Sequence, residues 1–176
     1  MRQVCPICGT DDDVQSAALP SGETLYTCSR ERRHSPDPYS WTFDEVGKVR
    51  GYPQEGLAAE LNLFDDISKC FHVDDYGWLE YGIIEDRFKA LNPENFETLR
   101  TIYGHTILDG PRKYSMSTYI ARHVLSKLEG LGELAWFQGA ATGVWREHNT
   151  DISYWARVPA PPRDRVQTYA DYLNNS

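Results

Sequence analysis

Cys5-Pro-Ile-Cys8-Gly9 places two potential thiolates on one tight turn, two residues apart. From such a turn both sulfurs reach one ion. The glycine lets the backbone double back while amide N–H groups point at sulfur. Nineteen residues separate Cys8 from Cys28, and five more separate Cys28 from His34. The first interval is long enough for two short strands, and a hairpin would return Cys28 to the first pair. Three thiolates and an imidazole complete a tetrahedral N/S set of the kind zinc prefers. With all four positions filled by protein, none remains for water, so the expected ion is structural, one Zn2+ per chain. Cys70 and His72 are rivals for the fourth position, but they lie beyond the apparent module boundary. Cys70 otherwise reads as a small buried apolar residue.

The elements that must position these ligands read as strands. Val14–Leu19 is a candidate strand between turns, Thr24–Cys28 alternates towards the third cysteine, and Tyr39–Phe43 is rich in aromatic and β-forming residues. They are separated by turns at Asp11-Asp12-Asp13, Pro20-Ser21-Gly22 and Ser35-Pro36-Asp37-Pro38. Over residues 1–46 the ligand pattern and strand order resemble a zinc ribbon. The second half departs from the commonest form in using a histidine after a longer spacer.

A second set of residues lies between 112 and 149. A helix is expected to start at Ser115 or Ser117 and to end at Gly130 or Gly132, with Ala121, Val124, Leu125 and Leu128 facing inward. Strands over 133–138 and 151–158 follow, separated by a segment containing Gly139, Gly143 and Asn149. Upstream, Leu57, Leu61, Phe64 and Ile67 mark a connecting helix, and a second helix is expected over about 76–91. Asn92-Pro93 is an N-cap followed by a first-turn proline, opening a third helix that carries Phe96, Leu99 and Ile102. Residues 105–114 read as a loop, with Thr106–Leu108 a candidate short strand.

This order of three helices, strand, loop and strand, carried by Ser115–Leu128, Gly130–Trp136, Ala141–Trp145 and Ile152–Ala156, resembles a winged helix-turn-helix domain. The resemblance implies double-stranded DNA recognition through the helix at 115–130 and a β-wing. Candidate contacts are Arg112, Lys113, Ser115, Ser117, Thr118, Tyr119, Arg122 and Ser126, with Arg146 and Asn149 from the wing. Short hydroxyls at a helix start suit phosphates but equally serve as caps. An arginine suits a phosphate or a guanine edge.

The fold class expected is α+β: a small β-rich zinc ribbon over 1–50, a linking helix over 51–73, and a winged-helix-like domain over 74–176 ending in a short helix. Alternation over 151–158 predicts that Ile152, Tyr154 and Ala156 face the helices and that Trp155 faces outward.

Charge limits the function classes. The chain carries a net −8, unevenly spread. Residues 51–110 hold twelve acids and four bases, whereas residues 111–176 hold six acids and eight bases. Only the last third suits a nucleic acid. The acidic helices and exposed aromatics suit a protein partner instead, the alternative reading. Asp65, Asp66, Asp74, Asp75, Glu80, Glu85 and Asp86 have no metal-cluster spacing and read as solvated helix faces. No phosphate loop, metalloprotease motif or nucleophile–histidine pattern is present, so the expectation is a non-enzyme. No apolar run approaches the ~20 residues of a membrane span, and the N-terminus lacks a signal-peptide core, so a cytoplasmic protein is expected.

Overall fold

The computed structural model describes residues 3–34, 38–44, 46–52, 54–110 and 114–176. The first sheet contains β1 (Val14–Ala18), β2 (Thr24–Cys28), β3 (Tyr39–Phe43) and β4 (Val49–Tyr52), antiparallel and in sequence order. The first three strands fall where alternation and turn residues put them. The fourth takes in Gly51 and Tyr52, which read as boundary punctuation in the sequence. The expected turn at residues 35–37 lies outside the described residues. α1 (Glu31–His34) is a single turn carrying the histidine.

Because strand side chains alternate, this sheet has two distinct faces. One carries Cys28, Tyr26, Tyr39, Trp41 and Phe43, which form a small core with Cys5. The other carries Ala17 and Leu25, which join the main core together with Leu57, Leu99 and Ile102. β1 and β2 both lie against α5 (Pro93–Tyr103). The apolar interior is therefore continuous between the N-terminal sheet and the helices.

The connecting helix is broken into α2 (Gln54–Glu60) and α3 (Leu63–Ser68), with Asn62 between them at φ 55°. Asparagine tolerates that left-handed conformation, and it turns the chain. Residues 78–80, expected in a helix, form β5 (Trp78–Glu80) instead, and α4 (Tyr81–Leu91) starts immediately after it. α5 starts as expected: Asn92 caps it, accepting from the Asn95 amide at 3.1 Å. Residues 106–109 form α6 (Thr106–Asp109) rather than a loop or strand, because the His105 ring accepts from the Ile107 and Leu108 amides and caps a helical turn.

The helix expected over 115–130 is continuous but not uniform. α7 (Met116–Tyr119) runs through a π-helical segment, Ile120–Leu125, into α8 (Ser126–Gly130). Such wide turns in an α-helix concentrate at functional sites. β6 (Leu134–Ala140), a 3₁₀ turn at Gly143–Glu147 and β7 (Asp151–Arg157) follow. The chain ends with β8 (Val166–Gln167) and α9 (Tyr169–Asn174).

The second sheet has the order β6-β7-β5-β8, with β5 antiparallel to β7 and parallel to β8. Its orientation reverses the expectation. Trp155 is buried in the main core against the helices, while Tyr154 and Ala156 belong to a cluster with Trp78 on the other face. That face is covered by the chain after β7. Arg163 lies over the Phe137 and Trp78 rings, 4.3 and 5.3 Å from their centroids, and Trp78 Nε1 donates to the Pro161 carbonyl at 3.0 Å. A sheet covered on both sides buries aromatic residues on each, Trp155 on one face and Trp78 on the other, so alternation alone does not say which face meets the helices. Among the described residues no helix is long and apolar enough to cross a membrane.

Candidate functional sites

The Cys5–Cys8 turn closes by a hydrogen bond from the Gly9 amide to the Cys5 carbonyl at 2.9 Å, with Gly9 at φ 72°. The Cys8 amide points at Cys5 Sγ, 3.5 Å away. β1 and β2 pair in register from Val14↔Cys28, which brings the third cysteine back to this turn. α1 then lifts His34 over the group, and its ring stacks on Tyr39 with centroids 5.7 Å apart. Tyr39, Trp41 and Tyr26 continue the stack along the sheet.

The four ligand atoms of Cys5, Cys8, Cys28 and His34 lie within 4.8 Å of one another. Cys8 Sγ is 3.9 Å from Cys28 Sγ and 3.0 Å from His34 Nε2, and Cys5 Sγ is 3.4 Å from the same nitrogen. A tetrahedron with metal–ligand arms of ~2.0–2.3 Å has edges of ~3.5 Å, so these separations fit one ion. Burial pushes the Cys28 thiol up to about 12 and lowers the His34 imidazole. The pocket thus disfavours a bare thiolate and keeps the imidazole neutral, and a cation reverses the first penalty while using the second state. Among the described residues these are the only His, Cys, Asp or Glu that gather closely enough to hold a metal. Cys70 is buried away from the group, donating to the Asp66 carbonyl.

The second site is an open cleft of about 680 Å³ between the start of α7, the π-helical segment and the 3₁₀–β7 segment. Ser115, Ser117, Thr118, Arg122 and Asn149, expected on one recognition surface, all line it, together with Tyr81, Trp145 and His148. The predicted contacts differ in their surroundings. Ser115 is nearly buried as the N-cap of α7, accepting from the Thr118 amide at 3.5 Å. Tyr119, expected near the helix edge, is fully buried, with its ring stacked on Tyr103 at 4.8 Å. Its side chain belongs to the main core, so its ring is out of reach of a bound partner. Arg122 is exposed and lies over the Tyr114 ring. Ser126 is exposed and donates to the Ala121 carbonyl at 2.8 Å. Arg146 is exposed on the 3₁₀ turn. Arg112 and Lys113 lie outside the described residues.

Two buried carboxylates, read from sequence as solvated, organise this part of the molecule. Glu85, on α4, accepts at Oε2 from Ser117 Oγ at 2.6 Å and from the Tyr81 hydroxyl at 2.7 Å. Its Oε1 meets His105 Nε2. Since His105 Nδ1 accepts two backbone amides, its proton sits on Nε2 and is donated to Glu85. Burial, reinforced by the Glu85 charge, holds the Tyr81 phenol well above its usual range, so it stays a donor. Glu80, fully buried at the end of β5, accepts from the Thr142 amide at 2.8 Å, the Thr142 hydroxyl at 2.6 Å and the Tyr169 amide at 2.7 Å. Asp66 is also buried and accepts from Asn92 Nδ2 at 2.9 Å. Apart from Tyr81, four residues before Glu85, none of these donors is near its carboxylate in sequence. The hint available there was the clustering of hydroxyl residues at 115–118, which reads as capping.

No protein-family model, curated protein or solved structure matches the chain.

Proposed function

We propose that this chain is a non-enzymatic, zinc-stapled protein that recognises double-stranded DNA through the helix beginning at Met116 and the segment from Gly143 to Ser153. The zinc reading rests on donor chemistry: three sulfurs and one imidazole, mostly buried, suit a closed tetrahedral site and leave no position for water. The observation that carries the DNA reading is the convergence of Thr118, Arg122 and Asn149 on one open cleft. These residues come from two segments, and the exposed Arg146 lies in the second. A threonine hydroxyl and guanidinium groups at such an opening suit phosphate oxygens, and an asparagine suits a base edge.

The decisive measurement is duplex binding by fluorescence anisotropy between 50 and 200 mM salt. Affinity should fall steeply with salt, and Arg122→Ala and Arg146→Ala should each lower the slope of log K against log salt by about 1. Absence of binding near ~50 mM salt, where phosphate contacts are strongest, would falsify the reading.

A protein-interaction reading has two observations in its favour. Trp136, stacked on Trp155, is 48% exposed, and the same cleft carries the carboxylates of Glu147 and Asp151. Retention of a partner at high salt after nuclease treatment would favour it over DNA.

A further inference from the structure

A recognition helix that reads an intact duplex presents a convex face to the major groove, which is ~12 Å wide. Here the first turn of the helix forms one wall of a concavity. Ser115 is nearly buried there, and Ser117 is half-buried with its hydroxyl turned inward. A space of about 680 Å³ is the size of one nucleotide, so a duplex seated at its rim would place a single base inside it.

The floor of the cleft has a definite polarity. Ser117 and the nearly buried Tyr81 both line it, and their hydroxyls both donate to Glu85 Oε2. The third donor to that carboxylate, His105, is fixed by the two amides held at its other nitrogen. With their protons committed, the Ser117 and Tyr81 oxygens offer only lone pairs to the cleft. The Glu85 charge stands directly behind them, and Glu147 and Asp151 add negative charge to the lining. The floor is thus an acceptor surface in a negative field, matched to an N–H donor and opposed to a carbonyl oxygen. Arg122, exposed on the helix wall, supplies the opposite charge where a phosphate would sit.

Resting on the DNA reading above, we propose that the cleft takes one unpaired nucleobase carrying an exocyclic amino group, received at Ser117 Oγ and the Tyr81 phenolic oxygen. Cytosine meets this requirement through its N4 amino group. Thymine and uracil present a carbonyl oxygen at the same position and would face two acceptors. The base comes either from a DNA strand, extruded at an unpaired position where unstacking costs least, or from a free mononucleotide.

The test compares full-length protein binding to two duplexes that differ only in one bulged nucleotide, C or T, alongside free CMP and UMP. Expected is at least tenfold tighter binding of the C-bulged duplex, because an unsatisfied pair of acceptors is costly. Ser117→Ala and Tyr81→Phe, each removing one acceptor, should move that ratio towards one. A merely structural role would alter stability without altering base choice. If a variant fails to fold, the wild-type ratio alone decides. A preference for CMP over UMP without duplex binding would uphold the amino-reading cleft with a free nucleotide as its ligand, and the DNA reading would fall. Equal affinity for both bulges in a protein that binds duplex would overturn this inference and leave the DNA reading standing. Binding to none of the four ligands would overturn both.

Discussion

Glu80 shows how a residue's chemistry depends on what the fold delivers to it. The carboxylate is fully buried, yet each oxygen is matched: Oε1 receives the Thr142 amide, and Oε2 receives the Thr142 hydroxyl and the Tyr169 amide. The Thr142 hydroxyl in turn accepts from the Ala170 amide at 3.0 Å, so one side chain on β5 holds the loop after β6 and the first turn of α9. Backbone N–H groups cannot reverse their polarity. In Glu80→Gln, whichever way the amide is turned, its NH2 opposes a backbone donor. The variant should therefore lose about 1–3 kcal/mol in urea denaturation, although the substitution is nearly isosteric. A loss below about 0.5 kcal/mol would show that these bonds do not hold the C-terminal helix. The sequence could not disclose this role. Glu80 stands among acidic residues that resemble a solvated face, and its donors lie more than sixty residues away. The candidate metal ligands are the opposite case: their identity and spacing are local, and Cys5, Cys8, Cys28 and His34 meet as the sequence indicates.

At the scale of elements, legibility follows the range of the determining interactions. β1 to β3 and α5 are set by alternation, turn residues and an Asn-Pro cap, all close in sequence, and they appear where expected. β5 has only three residues, Trp78 to Glu80, and is a strand because β7 pairs with it, Leu79 opposite Trp155. Nothing near it in sequence announces that partner, and the adjoining helical periodicity absorbs it. The junction of β5 and α4 also explains a glycine. A Cβ on Gly82 would lie 2.8 Å from Tyr169 Cδ2 and would press on the Trp145 indole. Trp145 lines the cleft, and Tyr169 is held by Glu80. Gly82→Ala gains a helix former, worth up to about 1 kcal/mol at an unobstructed position. Here the crowding should outweigh it, giving a net loss of about 1–3 kcal/mol and displacing Trp145. Equilibrium unfolding and Trp fluorescence of the variant would register both effects. An unchanged or raised stability would mean that α4 does not pass as closely beneath the cleft as the geometry indicates.

For the whole molecule, the question is how far the influence of the candidate metal centre extends. The ligands, with Trp41 and its stacked neighbours, form a core too small to hold a four-stranded sheet by itself. The opposite face of that sheet supplies Ala17, Leu19 and Leu25 to the core shared with α2, α4 and α5. Two outcomes of metal removal are therefore distinct in physical terms. If the sheet were an independent module, a chelator or Cys5→Ser would melt it alone, and the helical unit would retain its own transition. With a shared core, losing the sheet strips cover from Leu57, Leu99 and Ile102, so the destabilisation propagates. The expected result is a single cooperative transition shifted down by at least 10 °C on chelation, since even a few kcal/mol moves the midpoint of a chain of this size by that much. Heat denaturation followed in parallel by far-ultraviolet dichroism and Trp fluorescence provides the check. Transitions that separate, with the helical signal melting at an unchanged temperature, would show that the two cores are energetically independent despite their contact.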